Sequence, residues 1–83
     1  MPHDPVLVEN TRRWLVESNK DLGRVVRSLS AEQPDFEDAL FHCQQASEKA
    51  LKAFLTWHDQ PFRKTHDLKA LSKQCAQKLI PHW

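Results

Sequence analysis

Gln44, Glu48 and Lys52 recur at four-residue steps, so a helix would carry an amide, a carboxylate and an ammonium in one row. Glu48 stands N-terminal to Lys52, the favourable order for a helical ion pair. Such a row is ordinarily a solvated face contributing about 0.2–0.5 kcal/mol per pair. Here it runs between Phe41 and the pair Leu51 and Leu55, which implies a half-buried setting. Half-buried polar groups need partners. These three can satisfy one another, or a base and a phosphate.

His66 and Asp67 fall where a third helix should begin. An imidazole there can act as a base or meet a phosphate, and it can also lock the junction by bonding a backbone carbonyl. Arg13, Lys20, Arg24 and Arg27 share the outer side of the first predicted helix, with Glu17 beside them. Arg forks suit phosphates, whereas local pairing with Glu17 would leave only a solubilising face. No aromatic residue interleaves with this stripe, so it offers no platform for single-stranded bases. His42, Cys43, His58, His66 and Cys75 lack zinc-ligand spacing, and no metal or cofactor is expected.

The elements that position these groups are helical. Eighty-three residues with one Gly and 28% charged residues make a single all-α domain. A chain this size hides only about 60–65% of its unfolded surface. Asp4-Pro5 opens a helix over about 5–29, with Leu7, Thr11, Trp14, Leu15, Ser18, Leu22, Val25 and Leu29 as its buried stripe. A second helix covers about 35–58, with Asp35 and Asp38 at its start and a stripe of Phe36, Ala39, Leu40, Cys43, Ala46, Ser47, Ala50, Phe54 and Trp57. Thr65 is the predicted N-cap of a third helix over about 65–80, with Leu68, Leu71, Cys75 and Leu79 inward and Ile80-Pro81 as its stop. The short connections predict an antiparallel up-and-down bundle.

A net charge of +1 gives no global field to attract a polyanion. Two isolated cysteines read as small buried hydrophobes of a reducing compartment. With no apolar run near the ~20 residues of a membrane span and no targeting pattern, a cytoplasmic location is expected.

Gln44-Gln45-Ala46-Ser47-Glu48-Lys49-Ala50-Leu51-Lys52-Ala53, followed by Thr65-His66-Asp67-Leu68, closely resembles the core signature of the HEPN family, small helical domains of prokaryotes and higher eukaryotes associated with nucleotide binding. The resemblance runs from about Trp14 to Leu71. It implies nucleotide-binding residues at Gln44, Gln45, Glu48, Lys49, Lys52, His66 and Asp67. It also implies a further C-terminal helix that residues 1–83 do not carry, so the domain is expected to be incomplete there. The ribonuclease branch of the family carries an Arg followed, after four to six residues, by a His. No Arg here has a His at that distance, and no Tyr is present. No catalytic residue is therefore assigned.

Three readings follow. One is a non-catalytic domain holding a nucleotide, or a minimal nucleotidyltransferase partner, in a toxin–antitoxin-like setting. A second is a helical dimerisation module. A third is a fragment of a ribonuclease toxin, with RNA as target. The wide apolar arc of the second helix predicts a homodimer or higher oligomer, with Phe41, Leu51 and Leu55 at the interface.

Overall fold

The computed structural model of the chain describes residues 3–62 and 65–79. Three helices make up the described fold, α1 (Pro5–Ser30), α2 (Phe36–Trp57) and α3 (Leu68–Leu79). The protein is all-α. Ile80-Pro81 and Trp83, read above as the stop of the third helix and the apolar chain end, lie outside the described residues. No described helix is long and apolar enough to cross a membrane.

Local chemistry sets the helix ends. The Asp4 carboxylate accepts from the Val6 N–H at 2.7 Å, and Pro5 occupies the first helical position. Asp35 caps α2 by accepting from the Asp38 N–H at 2.9 Å, and Glu37 and Asp38 place negative charge at the positive end of the dipole. At the other end Gln60 N–H donates to Leu55 O at 2.8 Å and Asp59 N–H to Thr56 O at 3.0 Å. That pair of bonds is a Schellman motif, and Asp59 takes its left-handed position with φ 52°. For α3 the cap is Asp67 rather than Thr65. Asp67 Oδ1 accepts from Ala70 N–H at 3.2 Å, and Thr65 Oγ1 accepts from Asp67 N–H at 3.0 Å. The short side chain of Thr65 organises the approach to the helix instead of starting it.

α2 is the central element, with α1 and α3 each packed on it and no direct α1–α3 contact. α1 runs antiparallel to α2. Their interface is built from small and polar residues, with Thr11, Ser18 and Asp21 facing Ala39, Ala46 and Ala53. Ser18 Oγ donates to Ala46 O at 2.8 Å. Asp21, only 2% exposed, accepts from Lys49 Nζ at 2.5 Å and Arg24 Nη1 at 2.9 Å, and lies 3.2 Å from the His42 ring. Asp38 bonds Ser28 and faces the other His42 nitrogen at 3.5 Å. The apolar core sits on the opposite side of α2, where Leu55, Leu71 and Cys75 are buried with Leu51, Phe54 and Phe62 around them.

This arrangement corrects several packing expectations. Leu51 and Leu55 lie under α3 and are not free for a partner. Of the two cysteines only Cys75 is buried; Cys43 is exposed. The α1 stripe is buried or half-buried at Leu7, Thr11, Trp14, Ser18 and Val25 but about half exposed at Leu15, Leu22 and Leu29, and the α2 stripe is largely open, with Phe36 and Leu40 72% and 60% exposed. The physical reason lies in the polar contacts. Pairing Ser18 with Ala46, Asp21 with His42 and Lys49, and Ser28 with Asp38 turns one flank of each helix inward. At 3.6 residues per turn the opposite flanks then emerge together. Val8, Leu15, Leu22 and Leu29 therefore stand beside Phe36, Leu40, Cys43 and Ala50 on one uncovered side.

Burial pushes the Asp21 carboxyl up, and hydrogen bonds from Lys49, Arg24 and His42 outweigh that and hold it below the usual carboxylate range. A folded pKa below the unfolded value of about 3.9 adds stability above that pH, lost as pH falls through the folded value. Asp21→Asn should therefore destabilise the chain at pH 7. Removing one member of a buried ion pair costs roughly 3–5 kcal/mol, and the partly exposed Arg24 and Lys49 place this case at or below the lower end. The difference from wild type in urea unfolding should narrow below about pH 4. An unchanged difference from pH 7 to pH 3 would refute the assignment.

Candidate functional site

The Glu48–Lys52 row lies on α2 where Phe62, Thr65 and His66 come beside it. Both side chains are buried, Glu48 at 3% and Lys52 at 7% exposure. Lys52 Nζ donates to Glu48 Oε1 at 2.9 Å. The same ammonium stands over the Trp14 ring at 5.3 Å and the Phe62 ring at 5.9 Å from their centroids, within cation–π range. His66 Nδ1 lies 2.7 Å from Glu48 Oε1, while the rest of its side chain faces solvent. One carboxylate oxygen thus meets a buried ammonium and an exposed imidazole.

Two hollows meet at His66. One, of about 420 Å³, is lined by Phe41, Gln44, Gln45, Glu48, His66 and Asp67, with Leu68 and Lys69 at its rim. The other, of about 480 Å³, is enclosed by Trp14, Lys52, Phe62, Thr65 and His66. Both fall within the roughly 300–1,000 Å³ of small-molecule sites. A larger hollow of about 670 Å³ between Pro61, Phe62 and α3 carries only Asp67 as a charged wall and offers no comparable chemistry.

Six of the seven residues read from the sequence therefore gather at this junction: Gln44, Gln45, Glu48, Lys52, His66 and Asp67. Lys49 does not. It turns toward α1 and neutralises Asp21. Asp67 lines the hollow, but its carboxylate also caps α3. Sequence reasoning missed Trp14 and Phe62 as walls, and Asp21 as the buried anion on the other face of α2. An acid at position 21 with an Arg at i+3 signals no more than a local pair. The free stripe of Arg and Lys is largely spoken for: Lys20 pairs with Glu17 at 2.9 Å and Arg24 with Asp21 at 2.9 Å. Among the described residues no three His, Cys, Asp or Glu side chains are grouped to hold a metal ion.

Chemically, the junction can bind and orient. It presents amide, imidazole and ammonium donors beside aromatic and aliphatic walls. Removing Lys52 should leave Glu48 as a buried carboxylate with one exposed partner. Lys52→Met should lower stability by roughly 3–5 kcal/mol. Adding Glu48→Leu should restore most of that loss, because an apolar pair needs no neutralisation. Urea unfolding of the two single variants and the double variant measures the coupling, and simple additivity would show that the pair is not mutually dependent.

The sequence model of the HEPN domain matches residues 11–82, most of the chain. No curated protein and no solved structure matches it.

Proposed function

The chain belongs to the HEPN family, and from that premise we propose that it is a nucleotide-binding domain without chemistry of its own, working beside a nucleotidyltransferase partner in a cytoplasmic, toxin–antitoxin-like setting. One observation carries the reading: the buried Lys52–Glu48 pair meets exposed His66 where two ligand-sized hollows join. A buried ion pair is weak support for stability, since its desolvation offsets its attraction. A pair kept at the wall of a cavity makes more sense as a ligand contact. In this reading His66 and Lys52 meet phosphate oxygens, Gln44 and Gln45 wall the hollow beyond His66, and Glu48 orients the His66 and Lys52 side chains. Asp67 serves by fixing the start of α3, and Lys49 serves by holding α1.

Calorimetric titration with AMP and ATP tests this. A hydrogen bond to a charged group contributes about 1.5–3 kcal/mol. His66→Ala should therefore weaken binding by roughly 10- to 100-fold, while Arg27→Ala leaves it unchanged. Binding that ignores His66 would sink the reading.

A second reading is favoured by a different observation, the uncovered flank of α1 and α2. Val8, Leu15, Leu22 and Leu29 repeat at seven-residue steps, the period of a helix seam that packs on another helix. Monomers rarely leave so continuous an apolar strip in water. A second copy presenting the same flank would close two hairpins into a four-helix arrangement of two-fold symmetry. Light scattering at micromolar concentration should then report a dimer, and Leu22→Glu with Leu40→Glu should return a folded monomer. A stable wild-type monomer would discard self-association and leave the nucleotidyltransferase as the partner for this flank.

A further inference from the structure

Trp14 and Phe62 divide the Lys52 hollow from a neighbour of about 480 Å³ lined by Asn10, Arg13, Trp14, Glu17, Thr56 and Phe62. Four of these come from one face of α1 at three- and four-residue steps. The two rings meet edge to face, centroids 6.1 Å apart, so they form an open corner rather than a closed stack. Lys52 lines the first hollow and not the second.

The polar groups around this corner have unused capacity. The Asn10 side chain is exposed. Lys20 donates to Glu17 and holds that carboxyl below its usual range, so it is charged at neutral pH. Arg13 is 72% exposed and touches Glu9 only at 3.4 Å. An aromatic corner beside an amide, a carboxylate and a guanidinium excludes two simple ligands. A hydrocarbon would leave three polar groups facing it, and a bare phosphate would meet Glu17 and ignore the rings. A heteroaromatic base with an exocyclic amine uses the rings, the amide and the carboxylate. Aromatic side chains stack bases, an Asn amide pairs with the amino and ring nitrogen of adenine, and a carboxylate accepts from an amine.

We propose that this corner is a base subsite: adenine stacks on Trp14 with Phe62 against its edge, its amino group faces Asn10 and Glu17, and its sugar and phosphate pass Thr65 toward His66. The phosphate end rests on the nucleotide reading above; the base end does not. The stacking platform is completed by Phe62 against Trp14, which places an aromatic pair beside Arg13 where the helix alone has only Trp14.

The test is calorimetric titration of the full chain with adenosine, inosine and AMP. Adenosine should bind wild type at least about fivefold tighter than inosine, which lacks the amine. Loss of one stacking partner typically weakens binding by about tenfold or more, and Trp14→Leu should show that loss. Asn10→Ala alters an exposed side chain, so it should keep the fold and erase the preference for adenosine. Equal binding of adenosine and inosine to wild type, or adenosine binding untouched by Asn10→Ala, overturns the subsite. AMP binding that needs His66 but neither Trp14 nor Asn10 overturns the subsite and spares the phosphate site. Adenosine binding that needs Trp14 and Asn10, with no gain for AMP through His66, supports the subsite and overturns the phosphate site. Binding of neither ligand overturns both.

Discussion

A buried ammonium has to be neutralised where it lies, and Lys52 imposes that requirement on the middle of the fold. Glu48, one turn earlier on α2, supplies the charge at 2.9 Å. Trp14 and Phe62 supply the faces over which the remaining N–H groups sit. The consequences spread outward. Trp14 must come from α1 and Phe62 from the connection after α2, so the pair brings α1 and that connection to one side chain of α2. His66 is drawn to the same carboxylate and fixes where α3 begins. Asp67 then caps the helix that covers Leu55. One i, i+4 pair thus organises the return of the chain.

The two faces of α2 solve different problems. Toward α3 it is apolar, with Leu55, Leu71 and Cys75 excluding water. Burial there also raises the Cys75 thiol pKa and leaves it a weak donor to Leu51 O. Toward α1 the surface is small and polar, and Asp21 carries the interface. An Ala-lined contact of that kind contributes little hydrophobic area, but hydrogen bonds at fixed positions define register. The price of that register is the open flank: contacts that satisfy Asp21 and Asp38 cannot also hide Leu22 and Leu40.

Periodicity and capping made the number and type of helices legible, because Asp4-Pro5 and Asp35 are local signals that tertiary contacts do not override. The facing of α2 was not legible, whereas Leu71 and Cys75 of α3 and Thr11 and Ser18 of α1 turn inward as their spacing predicts. The longest apolar stripe of α2 looks like its core, yet α3 chooses the 48–55 side because Lys52 and Leu55 lie there together. Periodicity ranks faces by hydrophobicity alone and carries no information about where a charge is already compensated. Thr65 and Asp67 illustrate the same limit at smaller scale. Either can cap a helix, and the choice depends on where the chain must arrive to bring His66 to Glu48. The polar row was found because a family signature marks it; its aromatic walls were not, since Trp14 and Phe62 are distant in sequence and meet only after the chain folds back.

The geometry also separates the two surfaces that a partner or a ligand would use. The hollows around His66 and Trp14 lie on the side of the α1–α2 pair that carries Asp21 and Lys49, whereas the uncovered stripes lie on the other side. A helix or second copy placed on the open flank would therefore touch neither Trp14 nor His66. It would still act on them. The position of Trp14 relative to Lys52 depends on how α1 is held against α2, and the present contacts along that interface are mostly polar. Covering Leu15, Leu22 and Phe36 with apolar surface would hold α1 in place by a second, water-excluding contact. A ligand entering a site already held in its bound geometry loses less conformational freedom on binding. Association on the open flank and ligand binding beside Trp14 and His66 would thus be compatible in space and would reinforce each other, with α2 as the element they share.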